Sequence, residues 1–169
     1  SAFPDTRTLA GIRFNRGIFS LVQISRNSGR IEVMYQGRLG EPFMNVSCNP
    51  ADRNRIAVSR VVDGVSNLYI FKHEEDTLVG LSETPFQEEN PYWHSDGRIY
   101  FCADYDGVYN IYSIDSTGQD IRRYSNAVGG MFSPSPDGSE ELLVSEYTAK
   151  GFRIATLKSS GVPCTRPAE

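Results

Sequence analysis

The chain has 169 residues, enough for one ordinary domain with a sizeable core. With 39% apolar and 22% charged residues it reads as a folded chain rather than a disordered one. Its net charge of −4, with arginines scattered and densest only at Arg53/Arg55 and Arg122/Arg123, excludes the clustered basic face that phosphate binding needs, so no nucleic-acid partner is expected. No apolar run approaches the roughly eighteen residues of a membrane span, and the first residues show no charged-then-apolar leader pattern.

Nine Tyr and nine Phe, with fifteen Gly and nine Pro, predict strands cut by turns. In chain order, apolar runs begin at residues 9–12, with Leu21 and Ile31 marking the next two. IAVS (56–59), DGVSNLYIF (63–71) and LVGLS (78–82) follow. A brief element at 91–93 then precedes IYFC (99–102), DGVYNIYSI (106–114) and IRRYS (121–125). The last runs are LLVS (142–145) and GFRIATL (151–157). None shows a sustained helical apolar period with caps.

These runs repeat. DGVSNLYIF returns as DGVYNIYSI after 43 positions, and IAVS returns as IYFC and again as LLVS at the same shift. LVGLS returns as IRRYS, and Ile154 follows Ile111, once more by 43. The first copy has a longer loop, so Leu9, Leu21 and Ile31 precede Ile56, Leu68 and Leu78 by 47. Along 110–115, Ile111, Ser113 and Asp115 alternate with Asn110, Tyr112 and Ile114, placing apolar residues on both sides. Such a strand belongs to a sheet packed between neighbouring sheets. A four-stranded unit of about 40–45 residues repeated in tandem predicts an all-β fold, a β-propeller of antiparallel blades. One such meander cannot cover its two apolar faces, but a ring of them can.

Residues 90–126, NPYWHSDGRIYFCADYDGVYNIYSIDSTGQDIRRYSN, resemble a TolB-like propeller repeat. The family pattern runs roughly P-x-W-S-P-D-G-x-x-I-x-F-x-S-x-x-D-G-x-x-[ND]-I-Y-x-x-x-x-x-G. The match rests on Pro91, Trp93, Asp96, Gly97, Ile99, Phe101, Asp106, Gly107, Asn110, Ile111, Tyr112 and Gly118. Ser95 stands where the family has proline; SPDG at 135–138 restores it, but with Pro134 in place of tryptophan. The second copy matches best over 63–69 and the first is degenerate. The resemblance implies about four blades, over 1–38, 39–83, 84–127 and 128–158, with a tail at 159–169 whose prolines make a poor strand. Family members usually carry six or more blades, so a partial ring, completed by another chain or a missing segment, is expected.

What the resemblance implies for function is a non-catalytic scaffold, periplasmic or extracellular in a bacterial envelope, docking protein partners. TolB-like blades are also similar to those that gate prolyl oligopeptidase-type hydrolases, and related propellers form carbohydrate-active lyases. Propellers host unrelated roles, so the residues must decide.

The residues show no catalytic constellation and imply no cofactor. ADYDGVYN (103–110) hints at a calcium loop, with Asp104 and Asp106 as the candidate metal ligands. Gly107 comes too early for that loop, however, and the aligned second copy has Val61 where Asp104 stands. What recurs is turn chemistry: Asp63, Gly64 and Asn67 in one copy, Asp106, Gly107 and Asn110 in the next. The structural reading is therefore preferred. His94 reads as a turn residue and His73 as a solvated one; two histidines do not build a multi-histidine metal centre. Tyr92, Trp93 and Tyr112 are weighed as a sugar-stacking platform and assigned to packing between blades. Cys102 aligns with Ser59 and Ser145 and reads as a buried, inert thiol. Cys48, Cys102 and Cys164 lack zinc-ligand spacing, and their odd number leaves at least one unpaired within the chain. The acidic run 83–89 is expected to be a solvated loop or part of an acidic docking surface.

Overall fold

The computed structural model describes residues 1–5, 7–136, 141–158 and 160–165. Every regular element among them is a β-strand, so no described helix is long and apolar enough to cross a membrane. The strands form four antiparallel sheets. The first holds β1 (Thr8–Asn15), β2 (Ile18–Ser25) and β3 (Ile31–Leu39), and an isolated bridge joins Ala2 to Leu9. The second holds β4 (Phe43–Cys48), β5 (Arg55–Val62), β6 (Val65–Lys72) and β7 (Thr77–Gly80). The third holds β8 (Glu88–Trp93), β9 (Ile99–Ala103), β10 (Asn110–Ile114) and β11 (Ile121–Arg123). The fourth holds β12 (Met131–Pro136), β13 (Glu141–Thr148) and β14 (Gly151–Lys158). β3 runs one residue past the expected first boundary at 38.

The tail departs from expectation. β15 (Val162–Pro163) pairs antiparallel with β11, pairing Val162 with Arg123 and Pro163 with Arg122, so the third sheet has five strands. A proline is tolerated there because an outermost strand needs hydrogen bonds on one side only. The Asp137 and Gly138 of the SPDG match lie outside the described residues, while Ser135 falls on β12.

Core lies between successive sheets. Between the first two, Ala10 and Leu21 meet Ile56, Val58 and Phe71. Between the second and third, Ala57, Leu68 and Ile70 meet Ile99, Phe101, Tyr112 and Ile114. Between the third and fourth, Tyr100, Cys102 and Ile111 meet Leu142 and Val144. The repeat-related Ile56, Ile99 and Leu142 are each fully buried on the same strand of successive sheets. The strands alternate as the pleat requires, so one face of β9 and β10 serves the sheet before and the other the sheet after.

The repeat is also written in hydrogen bonds. Asn67 accepts the Thr84 N–H at 3.0 Å, and 43 residues on Asn110 accepts the Ala127 N–H at 2.7 Å. Ser82 Oγ accepts the Leu68 N–H at 3.0 Å, as Ser125 Oγ accepts that of Ile111 at 2.9 Å. Both pairs fasten the third strand to the segment leaving the fourth, where a buried amide with no partner would be costly.

The acidic run is a loop only as far as residue 87, where β8 takes over. Glu83 is exposed, but Glu88 is fully buried on β8. Tyr105 Oη donates to Glu88 Oε1 at 2.5 Å, the Ser82 hydroxyl donates to its other oxygen, and Ser66 Oγ donates to its backbone carbonyl at 3.0 Å. The carboxylate ties the second sheet to the third, something the run's overall acidity conceals.

Candidate functional site

The two Asp-Gly turns of the repeat differ in the folded chain. Val62 pairs with Val65 across Asp63 (φ 51°) and Gly64 (φ 84°), a two-residue hairpin with both central residues left-handed. In the third sheet the ladder stops at Ala103 opposite Asn110, and the Gly107 N–H donates to the Asp104 carbonyl at 2.7 Å. Gly107 has φ 81°, while Asp106 is not left-handed. Tyr105 explains the difference: it turns inward against Phe86, Phe101 and Tyr112 and reaches Glu88. Val62, its counterpart, stays in the ladder.

The two candidate calcium ligands are held by protein donors. Asp104 Oδ1 accepts the Gln87 N–H at 2.8 Å. Asp106 Oδ2 accepts from Arg123 at 2.6 Å and its Oδ1 from Asn110 at 3.3 Å. Burial alone would raise the Asp106 pKa, but the Arg123 bond and charge, with Asn110, outweigh it and hold the carboxyl below its ordinary value. Asn110 is fully buried and also accepts from Ser125 Oγ at 2.9 Å. Among the described residues no three His, Cys, Asp or Glu side chains gather as a metal site.

His94 closes a turn, its N–H donating to the Arg98 carbonyl at 2.9 Å. Its Nδ1 lies 3.3 Å from Asp96 Oδ1, and Tyr92 and Tyr100 flank the ring. Asp96 in turn accepts from Tyr100 Oη at 2.8 Å, and among the described residues no serine or cysteine side chain is bonded to His94. His94 Nδ1 accepts the Asp96 backbone N–H at 3.5 Å, and Asp96 Oδ1 accepts the Arg98 N–H at 2.9 Å, so the pair serves the turn. His73 is exposed and stands apart from it. Cys102 is fully buried, and burial pushes its thiol pKa up to about 12, which keeps it protonated and unreactive.

The three aromatics part company. Trp93 and Tyr112 are buried between the second and third sheets, whereas Tyr92 is 36% exposed. Tyr92 lines an open cavity of about 290 Å³ with Asn45, Val46, Asn90, Pro91, Ser133, Pro134 and Ser135. These residues come from the first strands of three successive sheets, β4, β8 and β12. Two of the strands bulge at the same point: Asn90–Pro91 and Ser133–Pro134 each fall between ladder pairs. Asn90 (φ 54°) and Ser133 (φ 51°) are left-handed, and each precedes a proline that has no N–H for the ladder. Among the described residues the cavity wall carries no charged side chain, only amides, hydroxyls, an aliphatic residue, prolines and one tyrosine. Sequence reading missed it, although Asn-Pro and Ser-Pro spaced 43 residues apart mark both bulges.

No family model matches the chain. Over 29 residues it is 52% identical to a Tricorn protease homolog of Saccharolobus solfataricus, a match spanning 17% of this chain and 3% of that one. The structure is similar to putative TolB from Agrobacterium tumefaciens, with a TM-score of 0.83 and 15% identity over 96% of this chain and 62% of that one. Its similarity to TolB from Acinetobacter baumannii gives a TM-score of 0.79 and 13% identity, over 96% of this chain and 41% of that one. The fold is TolB-like. A Mycobacterium tuberculosis puromycin-hydrolyzing peptidase also matches, with a TM-score of 0.74 and 12% identity over 99% of this chain and 29% of that one. The chain thus spans less than two thirds of each of these relatives, and at such identities the likeness shows the fold alone.

Proposed function

We propose that the chain is a non-catalytic propeller module that docks proteins in the bacterial periplasm or outside the cell. Its contact centre is the groove formed by β4, β8 and β12, whose described lining is uncharged. The observation that carries this reading is Tyr92, an exposed aromatic among amides and hydroxyls beside a Trp93 that is 4% exposed. Tyrosine is enriched at the energetic centres of protein interfaces because one rigid ring offers apolar area and a polar tip. Amides and hydroxyls around it suit the backbone of an extended peptide segment. The similarity to two TolB proteins supports the envelope location. Residues 1–158 are read as four blades of this module.

The test places a photo-crosslinker at position 92 and, as a control, at exposed Phe14, and exposes both to a Gram-negative periplasmic extract. A discrete adduct at 92 and not at 14, lost in a competition with unlabelled chain but not with its Tyr92→Ala or Asn90→Ala variant, is expected. Equal adducts at both positions, or competition undiminished in the variants, would overturn the reading.

A second reading, a propeller that gates a larger hydrolase, is favoured by the likeness to the puromycin-hydrolyzing peptidase and the short match to the Tricorn protease homolog. An α/β-hydrolase segment in the same gene distinguishes it.

A further inference from the structure

The blade strands of the third sheet end on β11, and the tail lies antiparallel along its outer edge as β15. The Ile121 carbonyl accepts the Cys164 N–H at 3.1 Å. The register, Arg123 with Val162 and Arg122 with Pro163, sets Gly161 opposite Tyr124 and Cys164 opposite Ile121. Because the Cys164 amide points at β11, alternation turns the Pro163 nitrogen away from it, and the missing N–H costs this ladder nothing.

Two residues of the tail, on opposite faces, meet shaped walls. On one face Gly161 lies against Tyr124, where a Cβ would stand 2.5 Å from the ring's Cζ. That ring is held in place, with its hydroxyl 3.0 Å from Ser113 Oγ and its centroid 5.4 Å from that of Tyr100. On the other face Cys164 packs against the core between the second and third sheets. Beside it, among the described residues, a cavity of about 130 Å³ remains, lined by Tyr105, Asp106, Tyr112, Arg123 and Thr165. Asp106 and Arg123 pair with each other, so the rings of Tyr105 and Tyr112 form a wall that a longer apolar side chain would cover.

These walls belong to the third sheet and not to the repeat. Val62, Gly80 and Leu81 stand 43 residues before Tyr105, Arg123 and Tyr124, and no described strand pairs with the outer edge of β7. The β11 edge also points away from the neighbouring sheets, so it does not depend on what covers the first or the fourth. The tail is a loose occupant: β15 spans two residues, and Val162 is 68% exposed.

We propose that the outer edge of β11 is a strand-docking site for an extended segment of a protein partner, with glycine at the place of Gly161 and an apolar side chain longer than cysteine at the place of Cys164. The tail holds the site in cis, and the partner segment displaces it. Backbone bonds to an open edge supply affinity, and pockets for chosen side chains supply specificity. This edge is separate from the groove around Tyr92, so either proposal can fail without the other.

The test titrates a labelled peptide of residues 158–165, and its Cys164→Leu and Gly161→Val forms, into the full chain under reducing conditions. In wild type the tethered tail competes at an effective concentration of about 1 mM. A full chain carrying Gly161→Val lifts its tail off Tyr124, and should bind the Cys164→Leu peptide at least about tenfold tighter than wild type does. It should bind the unmodified peptide more weakly, and the Gly161→Val peptide not at all. A Gly161→Val chain with unchanged circular dichroism that binds no better than wild type overturns the proposal, as does a Gly161→Val peptide that binds as well as its parent. Cys164→Leu in the full chain tests the cavity with the tail in place: protection of the residue-164 amide from hydrogen exchange should rise by about tenfold. Unchanged or lower protection overturns the proposal. A doubled wild-type mass that the Gly161→Val chain loses overturns it too, because the occupant is then the tail of a second copy.

Discussion

In the third sheet the strand burial of β10 is complete, residue after residue, while in the fourth β14 is mostly exposed. The two strands are copies: Ile111 and Ile154 occupy one repeat position, and each pairs across its ladder, with Cys102 and with Ser145. The first is wholly buried and the second almost wholly exposed. Burial in this fold is thus a property of the neighbouring sheet rather than of the strand, and a single repeat sequence yields a core position or an exposed one according to what stands next to it.

The largest way to sharpen that contrast is a matched pair of truncations. Ile111→Ala opens a cavity between the third and fourth sheets and should cost about 2–5 kcal/mol in denaturant unfolding. Ile154→Ala, measured at a dilution where the chain is monomeric, should fall within about 0.5 kcal/mol of wild type. Equal losses at the two sites would break the comparison.

Next comes the hydrogen-bond pair. Asn110→Ala leaves the Ala127 N–H and the Ser125 hydroxyl without their acceptor inside the fold, a loss of about 1–3 kcal/mol. Asn67→Ala should cost less, because its Thr84 contacts are only partly buried and water can replace them. An Asn67 loss larger than that of Asn110 would contradict the account. Smaller again is Gly64→Ala, which forces a side chain to φ 84° and should lower stability by about 1 kcal/mol.

The smallest effect is electrostatic. The folded state holds the Asp106 carboxyl below its ordinary value, so the Arg123 pair stabilises fully above the unfolded-state value and loses that stabilisation as the pH falls through the folded one. The melting-temperature gap between wild type and Asp106→Asn should hold steady from pH 7 to about pH 5 and narrow below about pH 4. Since the carboxylate is 44% exposed, solvent screens the pair and the gap is small. A gap that widens on acidification would reverse the sign.

The all-β fold and most of its strands were legible because the repeat fixes both spacing and alternation; Ile56, Ile99 and Leu142 could be matched before their burial was known. Three things were not. Glu88 lies in a run of acidic and polar residues, and only the arrival of Tyr105 and Ser82 from elsewhere turns it inward. The pairing of β15 with β11 depends on a free sheet edge, which no local pattern of the tail announces. Tyr92 and Trp93 are adjacent aromatics, and which one faces the groove is decided by the bulge at Asn90–Pro91 that sets the register. Asp104 and Asp106 show the reverse: spacing suggested a shared ligand, while the loop sends one to Gln87 and the other to Arg123.

The central claim is that one repeat position is buried or bare according to its neighbour. Methyl spectra of the isoleucines, recorded with a soluble paramagnetic agent at a dilution where the chain is monomeric, test it most directly. The account predicts strong broadening of the Ile154 methyls and almost none at Ile56, Ile99 and Ile111. Protection of Ile154 equal to that of Ile111 in the monomer, or broadening at all four, would contradict it.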